Sequence, residues 1–260
     1  MNILINILVA LLCLVLGYLI GSANISIPLG KLLFNQDPRD YGSHNCGATN
    51  CGRIWGKKYF FIVFFFDIFK TISPLFICWA ILTFAPLNNG TPLLPSAYEM
   101  YTADLSSYVI KWPVYWLASF GSLLGGLFPL FANFRGGKAV SALAGLIIST
   151  SWSMAIVAIS TFLITLFKTK FVSLSSLIAG VVFFVFIWLY SSLFTFHLIP
   201  AEMMFVFQNG SLLYCNYVFA IVTSVKIIIM FVRHHQNIAR LKAGTEKQVQ
   251  WIKSKNKVSN

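Results

Sequence analysis

Across 260 residues the chain is 58% hydrophobic and 16% aromatic while only 10% of its residues are charged, and Lys and Arg outnumber Asp and Glu by 19 to 7. That balance lies far outside the usual range of soluble domains and excludes a water-soluble globular protein. Period-2 patterning is absent, which excludes a β-barrel, so helices must satisfy the backbone inside the bilayer.

The fold class that follows is an all-α, polytopic membrane helical bundle. About 20 apolar residues are needed to cross the hydrocarbon core. The first segment, from Ile3 to about Leu33, has no Lys or Arg before it, so it lacks the basic start of a cleaved signal peptide and reads as one retained helix. Gly17 with Gly21, and later Gly121 with Gly125, form small-xxx-small faces that mark close helix packing. Further spans fall at about Tyr59 to Phe84, Pro113 to Phe131, Val172 to Phe196 and Leu212 to Val232. The stretch between Lys138 and Lys168 is long for one crossing yet basic at both ends. It reads as two short helices that dip in and return, giving seven helical segments.

Charge placement orients this layout. With the loops at 35–58, 132–138 and 168–171 and the tail after Val232 on one side, the opposite loops, 85–112 and 197–211, hold only Lys111 among nineteen basic residues. Those two loops also hold Glu99, Asp104 and Glu202. The positive-inside rule therefore puts the basic loops and the C-terminus in the cytoplasm and the N-terminus outside. Residues 1–232 form the membrane-embedded domain, and 233–260 a basic tail whose first part, 233–246, contributes to the site. Its end, with Lys253, Lys255 and Lys257, reads as a solvated segment attracted to anionic headgroups. No soluble nucleic-acid-binding module accompanies it, so nucleic acid is not an expected partner.

Five cysteines give no disulfide framework. Cys46 and Cys51 share a loop with His44, but a fourth ligand at suitable spacing is missing, so neither a metal nor a cofactor is expected.

The cytoplasmic segments share one chemistry. RDYGSHNCGATNCGRIWGKK (39–58), NFRGGKAVS (133–141), KFVSLSS (170–176) and RHHQNIARLKAGTE (233–246) combine glycines, hydroxyls, amides and cations. Glycines let backbone N–H groups approach an anion, hydroxyls and amides donate, and Arg or Lys neutralises charge. In the first segment Gly42 and Gly47 permit tight turns, Ser43, Asn45, Thr49 and Asn50 add donors, and Arg53 supplies a planar charge. Taken alone it is equally a glycine-rich turn; the other three segments favour a phosphate site. Gly136, Gly137 and Lys138 stand immediately before an apolar helix, where free N–H groups and the dipole favour anions. Arg233, His234, Asn237 and Arg240 recur at helical spacing on one face. His234 can orient or deprotonate a hydroxyl, or simply sit among headgroups.

Asp67 and Lys70 lie one turn apart, about 12 and 16 Å into the second span, and read as a salt bridge supporting the site. Lys226, two turns before Arg233, reads as a lysine that snorkels towards the cytoplasm.

Together these stretches resemble the bacterial acyl-phosphate:glycerol-3-phosphate acyltransferases of the inner membrane. The resemblance rests on D-x-R-x-x-G-S-x-N-x-G-A-T-N-x-x-R-x-x-G-K-K at Asp37 to Lys58, D-x-x-K at Asp67 to Lys70, and F-P-x-F-x-x-F-[KR]-G-G-K at Phe128 to Lys138. S-L-S-S at Ser173 to Ser176 and R-H-x-x-N-I-x-R-L-x-x-G-x-E at Arg233 to Glu246 complete it. It implies transfer of a fatty acyl group from acyl phosphate to the 1-hydroxyl of sn-glycerol 3-phosphate, releasing lysophosphatidic acid and phosphate. It also implies that Ser43, Asn45, Gly47, Ala48, Thr49 and Asn50 cradle acyl phosphate. Arg53, Lys138, Ser175, Ser176, His234 and Asn237 would hold glycerol phosphate and its hydroxyl. His234, Asn237 and Ser43 take the catalytic roles, Arg233 and Arg240 join the binding set, and Asp67, Lys70, Gly136 and Gly137 support it. Implied partners are the two substrates, the bilayer and an acyl-phosphate-forming enzyme that hands over the donor.

The chain departs from the family pattern at several positions. His44 stands where Gly usually lies, Asn24 replaces a Pro, Thr71 replaces a Gly, Gly126 stands at a frequent His, and Ala142 takes a common Thr position. His44 is the most consequential, because a side chain in the phosphate loop would narrow it or add a donor.

Two rival classes and a second acyltransferase type compete. A transporter of a phosphorylated metabolite needs buried cations too, but should show related halves, and no convincing repeat is visible. A noncatalytic scaffold leaves the clustered polar residues unexplained. An acyltransferase of the H-x-x-x-x-D type lacks its motif here, His197 to Glu202 being an incidental near match on the opposite side.

Overall fold

A computed structural model describes residues 3–84, 116–150, 152–195 and 217–249, with Leu198 and four short pieces of the 85–115 loop. Glu99, Lys111, His197, Glu202 and the lysines at 253, 255 and 257 lie outside the described residues. Ten helices of eight residues or more appear among the described residues, against the seven segments expected. Beside them are two antiparallel pairings of two residues each, Pro86–Leu87 with Thr91–Pro92 and Asp104–Leu105 with Tyr108–Val109.

Much of the excess comes from breaks that the apolar pattern conceals. The first segment is not one helix: α1 spans Ile3–Gly21 and α2 spans Ser26–Phe34. Ser22 Oγ donates back to the Tyr18 carbonyl at 2.7 Å, and Asn24 Oδ1 accepts from the Ser26 amide at 3.0 Å and its hydroxyl at 2.7 Å. These local side-chain bonds end one helix and start the next. Two short helices lie outside the predicted spans: α3 (Ala48–Trp55) precedes α4 (Lys57–Phe84), and α10 (His235–Lys242) follows α9 (Tyr217–Arg233). Between them come α5 (Trp116–Leu127), α6 (Val140–Thr150), α7 (Trp152–Thr169) and α8 (Val172–Thr195).

The expected pair of short helices after Lys138 is present as α6 and α7. Both outer ends return to one side of the protein. Lys138 meets Asn237, while Thr169 and Lys170, at the other end, accept hydrogen bonds from Gln248 and Val249 of the same tail.

Three stretches are long and apolar enough to cross a membrane: Ile7–Phe34, Lys57–Leu82 and Val172–Leu193. Their outer faces expose large apolar residues such as Leu12, Val15, Phe65, Phe69, Val181 and Val185, as lipid contact requires. The interior core joins seven helices through Cys13, Leu75, Ala118, Leu146, Met154, Phe183 and Met230.

The two glycine faces meet each other. A Cβ on Gly17 or Gly21 would run into the backbone of Ala118 or Ser122, and one on Gly121 or Gly125 into that of Leu14 or Tyr18. Only glycine allows α1 and α5 to approach so closely. Just beyond this seam, the Tyr18 hydroxyl donates to the Phe128 carbonyl at 2.9 Å, fixing the start of the loop that carries Lys138.

Lys226 does not snorkel. Its side chain is 1% exposed and its Nζ donates to Ser119 Oγ of α5 at 3.1 Å. A hydroxyl on the neighbouring helix gives Nζ an acceptor inside the bundle.

Candidate active site

The four polar segments converge on one cavity. The segment 38–50, held at Pro38–Asp40 by a single 3₁₀ turn, leads into α3 and forms one wall. Asn50 organises it. Its Nδ2 donates to the carbonyls of Pro38, Tyr41 and Asn45 at 2.7, 3.0 and 2.8 Å, and its Oδ1 accepts from the Ser43 amide at 2.7 Å and hydroxyl at 3.1 Å. Every polar atom of this amide is thus committed to loop shape. Gly42, at φ +67°, lies so close that a Cβ there would strike Asn50 Oδ1. Asn45 Oδ1 accepts from Gly47 N at 3.0 Å, and Gly47 caps α3, whose first residues, Ala48 and Thr49, line the cavity. Such a helix start suits an anion.

The second wall is the loop before α6. Asn133, Phe134 and Ala139 take left-handed backbone at φ 53°, 58° and 65°. Gly136 lies against the Gly126 and Leu127 carbonyls, leaving no room for a side chain. Gly137 N donates to Gly126 O at 2.9 Å. Arg39 Nη1 donates to the Ala132 carbonyl at 2.8 Å, joining this loop to the first wall. Lys138, presented at the loop's end, donates to Asn237 Oδ1 at 2.6 Å. Burial, reinforced by the neighbouring Arg240 and partly offset by Glu246, lowers its pKa to about 8.

The remaining walls come from the start of α8 and the α9–α10 junction. His234, 2% exposed, places Nδ1 2.8 Å from the Met230 carbonyl. A carbonyl only accepts, so Nδ1 carries the proton and a neutral ring offers Nε2 as its lone pair. Burial lowers its pKa to about 4, and the Met230 carbonyl only partly opposes this. Asn237 Nδ2 donates to Glu246 Oε1 at 2.8 Å. Arg53 lines the cavity with its Nε buried and without a partner, and its Nη2 donates to the Lys247 carbonyl at 3.2 Å. A buried guanidinium with a vacant donor is suited to an incoming anion.

Most of the residues expected from sequence line this cavity: Ser43, Asn45, Gly47, Ala48, Thr49, Asn50 and Arg53 from the first wall, with Gly137, Lys138, Ser176, His234 and Asn237 from the others. Asp67 and Lys70 also line it, paired at 2.8 Å; Lys70 donates onward to the Ala23 carbonyl at 3.0 Å and Ser141 donates to Asp67 at 3.3 Å. Ser175, Arg233, Arg240 and Gly136 do not line it. Ser175 Oγ turns back to the Phe171 carbonyl at 2.8 Å, and Ser173 takes the cavity position instead. Arg233 holds the Gly136 and Gly137 carbonyls at 3.2 to 3.3 Å, and Arg240 pairs with Glu246 at 2.7 Å.

The departures from the family pattern are accommodated. His44, at φ +54°, is exposed, keeps its Nδ1 3.1 Å from the Arg39 carbonyl and stays out of the cavity. It neither narrows the cavity nor adds a donor to it. Asn24 holds the Ser26 amide and hydroxyl and lines the cavity, Thr71 packs against Gly145, and Gly126 and Ala142 contribute small surfaces to the cavity wall.

Sequence reasoning left two parts of the site unassigned. One is Glu246, whose carboxylate accepts from Ser173, Asn237 and Arg240 at 2.9, 2.8 and 2.7 Å. Burial alone would raise its pKa, yet these donors outweigh it and hold the carboxyl below its ordinary range. Its place as the sole acid of the 233–246 segment was the available signal. The other is an apolar wall of Phe60 and Phe64 from α4, Phe162 from α7 and Val172 from α8, for which no spacing rule exists. Among the described residues no group of three or more His, Cys, Asp or Glu is placed to hold a metal ion. The cavity therefore joins a cationic, donor-rich end to an aromatic one, a form suited to an anionic amphiphile.

Comparison with known proteins assigns the chain to a family. A curated "Glycerol-3-phosphate acyltransferase" of Staphylococcus carnosus is 30% identical over 93% of this chain and 98% of its own length. One of Mycoplasmopsis synoviae is 31% identical over 97% of this chain and 100% of its own. Among solved structures, the chain resembles PlsY (YgiH), an integral membrane glycerol 3-phosphate acyltransferase, in its glycerol 3-phosphate form, with TM-score 0.65 and 27% identity over 92% of this chain and 94% of that one. The lysophosphatidic acid form of the same protein gives TM-score 0.63 and 26% identity over the same shares. With residues 11–244 matching the model of the glycerol-3-phosphate acyltransferases, this membrane protein belongs to that family.

Proposed function

We propose that the cavity transfers a fatty acyl group from acyl phosphate to the 1-hydroxyl of sn-glycerol 3-phosphate, giving lysophosphatidic acid and inorganic phosphate. One observation carries the reading: Arg53, Lys138, His234 and the start of α3 face the same cavity as Phe60, Phe64 and Phe162. Two anionic headgroups and one acyl chain fit that division.

The donor is already activated, so no enzyme nucleophile is needed; alignment and charge neutralisation supply the acceleration. The segment 43–50 and the first amides of α3 hold the acyl phosphate, and Arg53 and Lys138 hold the acceptor's phosphate. His234 Nε2 accepts the acceptor hydroxyl and aims its oxygen at the acyl carbon. As the new C–O ester bond forms and the acyl C–O bond to phosphate breaks, the hydroxyl proton leaves its hydrogen bond to His234 Nε2 and passes to a phosphate oxygen. Phosphate, whose second pKa is about 6, is a better proton acceptor than a ring whose pKa is lowered to about 4. His234 is accordingly the orienting group and the substrate the base.

The basic side of the bundle faces the cytoplasm of the bacterial inner membrane and the N-terminus lies outside, a reading supported by the distribution of Lys and Arg. An acyl-phosphate-forming enzyme supplies the donor there. The decisive assay is phosphate release by purified protein from palmitoyl phosphate: it should require glycerol 3-phosphate and yield lysophosphatidic acid. Uptake of a phosphorylated metabolite into vesicles with no product formed would instead establish the transporter.

A further inference from the structure

We propose that Glu246 is a positioning residue of this site: its carboxylate fixes the amide of Asn237 and, through it, aims the Lys138 ammonium at the acceptor's phosphate. The inference rests on the acyl-transfer reading above and adds a residue that touches neither substrate. A carboxylate only accepts, so the Asn237 NH2 group must face Glu246, 2.8 Å away. Asn237 Oδ1 is thereby turned to Lys138 Nζ at 2.6 Å. Were the amide reversed, its NH2 group would meet the ammonium, donor against donor.

The carboxylate itself cannot turn. Ser173 Oγ donates to Oε1 at 2.9 Å and Arg240 Nε to Oε2 at 2.7 Å, so both oxygens are held, and the side chain is 2% exposed. The backbone on either side is also tied. Thr245 N donates to Arg240 O and Val249 N to Lys170 O, each at 2.9 Å, while Lys247 O accepts from Arg53. The segment 245–249 is therefore a strap from the end of α10 to the α7–α8 turn. Of the two acids lining the cavity among the described residues, Asp67 is taken up by Lys70, which leaves Glu246 to set Asn237.

The test compares Glu246→Ala and Glu246→Gln in native and Lys138→Ala backgrounds, with KM for glycerol 3-phosphate, kcat and Tm measured on purified protein. Loss of a charge-assisted hydrogen bond sets the scale, about tenfold or more in KM for Glu246→Ala in the native background. In the Lys138→Ala background the same change should add less than about twofold, because the ammonium it aims is gone. Glu246→Gln keeps an oxygen towards Ser173 and Asn237 but sets its NH2 group against Arg240 Nε, donor against donor, so Tm should fall while KM stays within about threefold of native. Equal KM increases in both backgrounds would overturn the proposal, since a general structural role is additive. If Glu246→Ala does not fold, Glu246→Gln decides: KM within about threefold of native supports the proposal, and a tenfold rise overturns it. A native protein that forms no lysophosphatidic acid defeats the reaction itself, whereas an active native protein indifferent to Glu246→Ala defeats only the role of Glu246.

Discussion

Lys138 Nζ lies 2.6 Å from Asn237 Oδ1, so a loop ahead of α6 and the helix after α9 share one hydrogen bond across 99 residues of chain. That bond leaves the ammonium's other protons for an anion. Lys138→Ala should raise KM for glycerol 3-phosphate by roughly 10- to 100-fold, the scale of one charged hydrogen bond. Lys255→Ala, outside the residues assigned to the pocket, should change it by less than about twofold. Equal effects in steady-state kinetics would argue against the assigned pocket.

The lowered pKa of Lys138 gives this contact a pH signature. The ammonium is charged below about pH 8 and loses its proton above it. The KM for glycerol 3-phosphate should therefore climb as pH rises through 8. Lys138→Arg, which stays charged, should remove that limb whatever its cost in kcat.

His234 predicts an effect on stability. Its folded pKa, about 4, lies below the ordinary 6.5, so the unfolded chain takes up the proton first as pH falls. Stability from the neutral ring is full above pH 6.5 and declines between 6.5 and 4. Thermal unfolding in detergent should show native Tm falling more steeply over that window than Tm of His234→Gln. Parallel curves would show that the ring is not held neutral.

His44→Gly should stabilise the protein. A non-glycine residue in left-handed backbone costs on the order of 1 kcal/mol, and this side chain is exposed outside the cavity. We expect Tm to rise by about 2 to 4 °C with unchanged kcat. A large loss of activity would place the imidazole in the site after all.

At the α1–α5 seam, Gly17→Ala and Gly121→Ala should each cost about 1 to 3 kcal/mol, because the new methyl meets backbone that cannot move aside. Gly126→Ala, where nothing lies within 4 Å, is the control and should leave Tm in place.

What was legible in the sequence follows from what each signal reports. Spacing and charge marked the segments that meet at the cavity, because phosphate chemistry restricts residue type strongly. The α6–α7 turn was legible too, since basic residues at both ends of one apolar run imply a return. Hydropathy averages over a window, so it could not show that Ser22 and Asn24 divide the first segment with their own side-chain bonds. Residue type also cannot distinguish an amide that meets a ligand from one that shapes a loop; Asn50 spends all its bonds on the loop. Ser175 and Arg233 were displaced from the expected set for a similar reason: backbone carbonyls take their donors. Lys226 escaped prediction because Ser119 belongs to another helix.

The glycine seam sets where this protein can be redesigned. The first helix lines none of the cavity, yet it is the footing on which the lysine loop stands, through Tyr18 and Phe128. A library aimed at the apolar wall has freedom at Phe162, whereas Phe60 and Phe64 also pack against Ala48 and Cys51 and carry any change into α3. The same diversity spread along Gly17, Gly21, Gly121 and Gly125 would be spent on collapsed variants, however distant those positions are from the chemistry.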